Sequence, residues 1–442
     1  MRDLIDEKRT ASEPYLEIVG GNPLQGEVSL PGAKNSALPA LVAACLSDED
    51  VILHNIPVEL NDVKLLIDLL QSVGASIRIQ DGTVVCSGKS IAGGVLNPDK
   101  ASKIRHSLLI MGCSANWGVP LFLPMPGGCG IGKRKHDFHV NAFRDMGLDV
   151  YESEMGIHLK EGKLRGDAVL EFPYPSFGAT LNVLFASVRS GGSRVILKNA
   201  AINPEVQDVI KLLIKMGGQI RWIDNRTIEI AGVDRLNGTD HAVMPDRIVA
   251  ATCIAAVGVT RGHIAILNAP YQVLQAEITA WRKAGLQIET GASGIEVMCD
   301  RRLMAVDIVT EAYPGFHTDI QPLHTVLMTG AEGTSVVKET ILDGRFAYCH
   351  ELNRMGASIR IEPGDFMCVN GKPGQVAIIE GRDRLYGADL RATDIRGGAA
   401  TVVAALGAVG MSRIMNLYQL ERGYGNIQEI FQTLGANIVK RG

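Results

Sequence analysis

One cysteine in this chain stands among four glycines and ahead of three cations, in the run Met125-Pro126-Gly127-Gly128-Cys129-Gly130-Ile131-Gly132-Lys133-Arg134-Lys135-His136-Asp137. Positive charge beside a thiol favours the thiolate, and a glycine-rich backbone can approach a ligand closely, so the run reads as a reactive loop or as a solvated turn that happens to carry Cys129. A second cluster, Leu30-Pro31-Gly32-Ala33-Lys34-Asn35-Ser36, places a lysine where a helix should begin. Lysine added to the unpaired amides of a helix N-terminus suits a phosphate; a surface lysine in a turn is the plainer reading. Carboxylates recur at two further helix starts, in Thr318-Asp319 and in Thr393-Asp394-Ile395-Arg396. Aspartate there is most often an N-cap. A helix aimed into a gap between domains would instead present it to a substrate, so one of the pair is a candidate base. Guanidinium groups stand near element starts in Arg105-His106-Ser107, Arg345-Phe346 and Glu421-Arg422-Gly423-Tyr424, where they can pair with carboxylate or phosphate, either in a ligand or as structural ion pairs.

These residues need elements to hold them, and the elements repeat. An apolar residue, a glycine, a small or apolar residue and a hydrophobic strand recur at Gly74, Gly147, Gly217, Gly285, Gly356 and Gly435, which by subtraction are 73, 70, 68, 71 and 79 residues apart. That period is a whole supersecondary unit. Glycine serves where a helix hands over to a strand through a left-handed residue. Each unit also carries an earlier helix of small and apolar residues followed by a β-branched strand. Such helices are expected at 35–45, 178–188, 247–257, 319–329 and 394–406, with strands at 51–53, 195–197, 263–266 and 413–415 after four of them. A helix apolar on all sides must be buried on all sides. The second helices, as at 62–70 and 206–214, are amphipathic and should cover the outside. Six small α/β modules, three in each of two domains, follow from this pattern.

Composition narrows the function. With 442 residues, 46% of them hydrophobic, the chain can bury two ordinary cores. A net charge of −4 lacks the basic field that non-specific nucleic-acid binding needs. The eight cysteines show no CxxC and no paired spacing, which favours free thiols, and the ten histidines form no compact metal motif. Residues 1–14 are charged and lack an apolar core, so they read as an extension and not as a signal peptide. The apolar runs are too short to span a bilayer. The expected location is the cytoplasm.

Taken together, the loop PGGCGIG with Arg134 and Asp137, PGAKNSALP from Pro31, PDRI from Pro245, HTD ending at Asp319, TDIR ending at Arg396 and ERGY ending at Tyr424 resemble the UDP-N-acetylglucosamine 1-carboxyvinyltransferases, from about Leu16 to the C-terminus. The resemblance implies two inside-out α/β domains of three units each, joined by a double crossover. The domains are then 34–243, carrying the cysteine loop, and 15–33 with 244–442. The implied reaction moves the enolpyruvyl group of phosphoenolpyruvate to the 3-hydroxyl of UDP-N-acetylglucosamine, the first committed step of bacterial peptidoglycan synthesis. No metal or organic cofactor is implied, and the partners are those two substrates, with no nucleic acid, no membrane and a monomeric or weakly oligomeric state.

By resemblance, Lys34, Arg134 and Arg422 grip the phosphate and carboxylate of phosphoenolpyruvate, with Arg105, Arg345 and Arg396 around them. Cys129 adds to the enolpyruvyl carbon or protonates its methylene, and is the thiol that fosfomycin alkylates in this family. Asp319 takes the sugar hydroxyl's proton, and Asp394 lies near the phosphate. Asn35, Asp137, Ser176 and Gly178, with Arg134 and Asp319, match contacts to the nucleotide sugar. The sequence leaves the family pattern on the acceptor side. Lys135 and His136 replace proline and valine, Tyr174 replaces a lysine, Pro175 and Phe177 flank Ser176, and Ile202-Asn203 replace Arg-Glu. Transfer to a different nucleotide such as UMP, as in peptidyl-nucleoside antibiotic pathways, is therefore the alternative, beside a non-catalytic nucleotide-sugar-binding paralogue.

Overall fold

All six repeated glycines take the left-handed conformation, with φ of 101° at Gly74, 77° at Gly147, 96° at Gly217, 108° at Gly285, 93° at Gly356 and 85° at Gly435. At the first, Gly74 N–H donates to Gln71 O and Ala75 N–H to Leu70 O, both at 3.0 Å, the paired bonds that close a helix end on a left-handed residue. A Cβ there would cost roughly 1–2 kcal/mol, so the spacing seen in the sequence is a backbone requirement. The computed structural model describes residues 13–80, 82–127, 136–164 and 166–442.

Each unit is one four-stranded sheet with two helices, and all six sheets share one pattern. In the third, Ala168–Glu171 runs parallel to Arg194–Lys198, which pairs antiparallel with Ile228–Ala231, and that strand pairs antiparallel with Gln219–Trp222. Three sheets borrow a strand from a distant part of the chain. The first takes Asp240–Ala242 as its parallel edge, with Asp240 opposite Ile52. The fourth takes Gln25–Ser29, with Gln25 opposite His263, and the sixth inserts Tyr15–Val19 between Met411–Met415 and Asn437–Arg441. The chain thus crosses between halves twice, after Ser29 and after Ala242.

The first helix of every unit is interior. All of Lys34–Ala44 except Asn35 is buried, and so is every residue of Gln321–Thr329. Lys34–Ala44, Leu109–Trp117 and Phe177–Ser187 pack in one apolar core, which draws its residues from Ala37 to Val243. Arg247–Thr260, Gln321–Thr329 and Ile395–Gly407 pack in a second, built from Leu16 to Val28 and from Ile248 to Ile438. Small residues let these helices close on one another: a Cβ at Gly112 would stand 2.8 Å from Cβ of Phe185. The second helices show one apolar face, as in Asn61–Ser72, where Val63, Leu66, Ile67 and Leu70 are buried at helical spacing. Sheets therefore enclose helices, the inside-out α/β arrangement. Expected element ends shift by one to three residues; the helix expected from Arg247 to Val257 continues to Thr260.

The two crossing segments are fastened to each other. Gly32 pairs with Pro245, Ala33 N–H donates to Met244 O at 2.8 Å, and Asp246 N–H donates to Pro31 O at 2.9 Å. Asp246 then caps two helices at once. Its Oδ1 accepts from Ile248 N at 2.7 Å and Val249 N at 3.2 Å, and its Oδ2 accepts from Lys34 N at 3.1 Å. Glu13, within the expected extension, pairs with Arg391 at 2.9 and 3.1 Å, while residues 1–12 lie outside the described residues. Among the described residues no helix is long and apolar enough to cross a membrane, and no cluster of side chains could hold a metal ion.

Asp246→Ala is expected to lower stability in urea unfolding by about 2–4 kcal/mol, because two caps go together. Asp246→Asn, which keeps one acceptor oxygen, should recover part of that loss; an alanine variant within about 0.5 kcal/mol of the parent would contradict the double cap.

Candidate active site

Between the two cores lies a cavity of about 790 Å³ onto which the N-terminal ends of buried helices open. Lys34 begins its helix, Arg396 is second in Ile395–Gly407, Ser176 caps Phe177–Ser187, and Arg105 opens the short turn before Leu109–Trp117. Unpaired amides and aligned peptide dipoles make such ends electropositive. Lys34, Asn35, Arg105, Asp137, Ser176 and Gly178 line the cavity from one half, and Asp319, Arg345, Asp394, Arg396 and Arg422 line it from the other. The structure thus gathers every expected site residue that it describes. Cys129 and Arg134 lie outside the described residues.

At one end, cations of both halves meet on a carboxylate. Asp62 Oδ2 is 2.9 Å from Lys34 Nζ, and its Oδ1 accepts from Arg422 Nε at 2.8 Å. All three side chains are buried. Burial alone would raise the Asp62 pKa, but the Lys34 and Arg422 charges outweigh it and hold the carboxyl below its usual range. Backbone space at this corner is as tight as the charge is dense. A Cβ at Gly423 would stand 2.6 Å from Ile395 Cγ2 and 3.7 Å from both Lys34 Cδ and Arg396 Nη1.

The two candidate aspartates part company. Asp394 is an N-cap, its Oδ1 accepting from Arg396 N at 3.0 Å and Gly397 N at 3.2 Å, with Arg345 Nη1 3.6 Å away. Asp319 caps nothing, since the following helix starts two residues later, at Gln321. Its carboxylate instead accepts from Arg345 Nη2 at 2.7 Å and Arg396 Nε at 3.2 Å, and its side chain keeps 22% exposure. Arg345 is fixed for this by donating Nε to Thr318 O at 3.1 Å. Five cations, Lys34, Arg105, Arg345, Arg396 and Arg422, line the cavity with five carboxylates, Asp62, Asp137, Glu205, Asp319 and Asp394, and Asp62 and Asp319 are each shared by two of the cations, a clustering of donors that suits an anionic ligand.

The same cavity is also lined by Phe138, Tyr174, Phe177, Leu342 and Val369, with Asp137, Ser176 and Asn203. Gly178 admits the ring of His139, since a Cβ would fall 2.9 Å from its Cε1. That ring hydrogen-bonds Asn182 Nδ2 through Nδ1 at 2.7 Å, and burial, with Arg105 next, drives its pKa to about 3. Burial first, and Glu339 second, push the Tyr174 phenol up to about 12, so it stays neutral. Of the departures from the family pattern, Tyr174, Phe177 and Asn203 line the cavity, while His136 is turned to Glu152 at 2.6 Å.

Four residues at the site were not singled out in the sequence. Asp62 reads there as an ordinary acidic residue in the first turn of an amphipathic helix. Glu205 and Arg247 pair at 2.8 Å across the halves, both buried, and Arg247 was read only as part of the PDRI motif. His317 was read only as part of the HTD motif, yet its ring lines the cavity beside Asp319.

The family profile of EPSP synthase (3-phosphoshikimate 1-carboxyvinyltransferase) matches residues 18–431. UDP-N-acetylglucosamine 1-carboxyvinyltransferase 2 of Caldanaerobacter subterraneus subsp. tengcongensis is 37% identical over 425 residues, covering 96% of this chain and 99% of the relative. UDP-N-acetylglucosamine 1-carboxyvinyltransferase of Halothermothrix orenii is 38% identical over 426 residues, covering 96% and 98%. Among solved structures, the enolpyruvyl transferase NikO from Streptomyces tendae superposes with a TM-score of 0.84 at 23% identity, covering 97% of this chain and 99% of that one, a likeness of fold. The chain belongs to the EPSP synthase family and, within it, to the UDP-N-acetylglucosamine 1-carboxyvinyltransferases.

Asp62→Asn leaves two buried cations without their counter-charge and should cost about 3 kcal/mol at pH 7. The lowered pKa fixes the sign of the pH dependence. The carboxylate's contribution is complete above its unfolded pKa of about 4 and fades as pH falls through the lower folded value, so the gap between parent and variant should narrow only in acid. Equal stability of the two proteins at pH 7 would contradict the assignment.

Proposed function

We propose that this chain, as a member of that family, transfers the enolpyruvyl group of phosphoenolpyruvate to the 3-hydroxyl of UDP-N-acetylglucosamine and releases phosphate. The observation that carries the reading is the meeting of Lys34 and Arg422, from different cores, on one carboxylate at 2.9 and 2.8 Å. Cations so placed can hold a single polyanion between the halves, here the phosphate and carboxylate of the donor. Arg134 joins them in this role, and Arg105, Arg345 and Arg396 surround the site. The halves themselves act as two domains, 34–243 and 15–33 with 244–442.

The chemistry follows from the charges. Protonation of the donor's methylene, from the Cys129 thiol, leaves an electron-poor carbon that the sugar hydroxyl attacks while Asp319 takes the hydroxyl proton. The tetrahedral adduct then returns a methyl proton to the Cys129 thiolate and expels phosphate, which restores the double bond. Arg345 and Arg396 hold the Asp319 carboxylate in place at 2.7 and 3.2 Å, and Asp394 stands near the phosphate. Asn35, Asp137, Ser176 and Gly178 contact the nucleotide sugar. Closure of the halves over both substrates would exclude water from the adduct. A second acceptor, a nucleotide lacking the sugar diphosphate such as UMP, draws support from Tyr174, which lines the cavity where the family carries a lysine.

Phosphate release from phosphoenolpyruvate, followed with UDP-N-acetylglucosamine, UMP or shikimate 3-phosphate in turn, separates the readings. Release with UDP-N-acetylglucosamine alone is expected; release with UMP alone would favour the second acceptor, and no release with any of them would refute transfer. Asp319→Asn is expected to bind both substrates while turnover falls about 10²- to 10⁴-fold, the usual worth of a general base. Turnover within a factor of two of the parent would remove Asp319 from that role.

A further inference from the structure

His317 reaches the cavity with its backbone fully committed and its ring half committed. The N–H donates to Glu277 Oε1 at 2.9 Å, and the carbonyl accepts from Ile320 N at 2.9 Å and Gln321 N at 3.1 Å. Ring Nδ1 accepts from Asp319 N–H at 3.1 Å. A nitrogen that accepts carries no proton, so a neutral imidazole here must carry its hydrogen on Nε2. Burial first, and then the Arg247 charge, hold the His317 pKa down to about 4 against the pull of Asp319, which keeps the ring neutral near pH 7. No described residue accepts from Nε2, and the ring lines the cavity two residues from the Asp319 carboxylate.

We propose that His317 is a further acceptor-binding residue, whose Nε2–H donates to an oxygen of the sugar next to the hydroxyl that Asp319 deprotonates. The inference rests on the transfer reaction proposed above. Its chemistry is specific to this placement. A charged imidazolium would bind the Asp319 carboxylate and compete with its work as base, whereas a neutral donor adds no further charge beside it. The same ring fixes the backbone of Asp319 through Nδ1, so base and donor are set at one distance from each other. Recognition and proton removal then fall on neighbouring atoms of one substrate.

Three substitutions separate the two ring nitrogens. Gln places a side-chain N–H near the position of Nε2, Asn keeps a carbonyl oxygen near the position of Nδ1, and Ala keeps neither. His317→Ala and His317→Asn are expected to raise the KM for UDP-N-acetylglucosamine about fivefold, the worth of one neutral hydrogen bond, with the KM for phosphoenolpyruvate within about twofold of the parent. His317→Gln should restore most of the acceptor KM. Parent-like behaviour of His317→Asn, or a parallel rise in both KM values, would overturn the donor role in favour of a structural one. NMR of the full chain with ¹⁵N-labelled histidine gives a readout independent of turnover. The His317 signal should be that of a ring protonated at Nε2, and should move with UDP-N-acetylglucosamine but not with phosphoenolpyruvate alone. A ring protonated at Nδ1, or no movement with the nucleotide sugar, would overturn the inference. Movement without any turnover by the parent protein would support the contact while refuting the transfer reaction.

Discussion

Asp246 ends two buried helices that belong to different cores, and the cavity depends on that shared cap. Its carboxylate accepts from amides of the Arg247–Thr260 helix with one oxygen and from Lys34 N with the other. The two crossing strands reinforce it through the Gly32–Pro245 pair. Helix ends held this closely cannot drift apart without leaving buried amides unpaired, an outcome that costs about 1–3 kcal/mol per group. The floor of the cavity is thus rigid at the place where the halves meet, and side chains carried on those first turns inherit that rigidity.

Buried cations need a negative partner, most of all at helix N-termini, where they oppose the local dipole. Here the partners come mostly from elsewhere in the fold: Asp62 for Lys34 and Arg422, Glu205 for Arg247, and Asp319 for Arg345 and Arg396. Two of these pairings, Asp62–Arg422 and Glu205–Arg247, run from one core to the other. Electrostatics therefore does two things with one set of residues. It ties the halves together, and it gathers lysine and arginine donors around one cavity.

Much of this was legible in the sequence because local backbone demands leave local marks. The six left-handed glycines set the period, the all-apolar helices declared their burial, and Lys34, Arg345 and Arg396 stood at element starts where a site could form, whereas Arg422, expected near such a start, caps the C-terminal end of Leu417–Glu421. What escaped was whatever depends on distant partners. Nothing near Asp240–Ala242 announces that its strand completes a sheet begun almost two hundred residues earlier, opposite Ile52. Asp62 looks like any first-turn aspartate until Arg422 arrives beside it. Asp319 and Asp394 carry the same Thr-Asp signature, yet only Asp394 caps a helix, because Pro322 lies second in the helix that follows Asp319 and that helix begins late. Their difference lies in where the arginines fall, which no spacing rule records.

The borrowed edge strands also set an order of events during synthesis. The sheet built around Val51–His54 lacks its parallel neighbour until Asp240–Ala242 has left the ribosome, and the strand Gln25–Ser29, made early, waits for His263–Leu267. The N-terminal half must therefore spend much of translation with one sheet edge open, exposed to pairing with other nascent chains, while an early-made strand stays unclaimed. Such a topology places its closing step after the second crossing, so the binding cleft forms late and the two halves mature as a coupled pair.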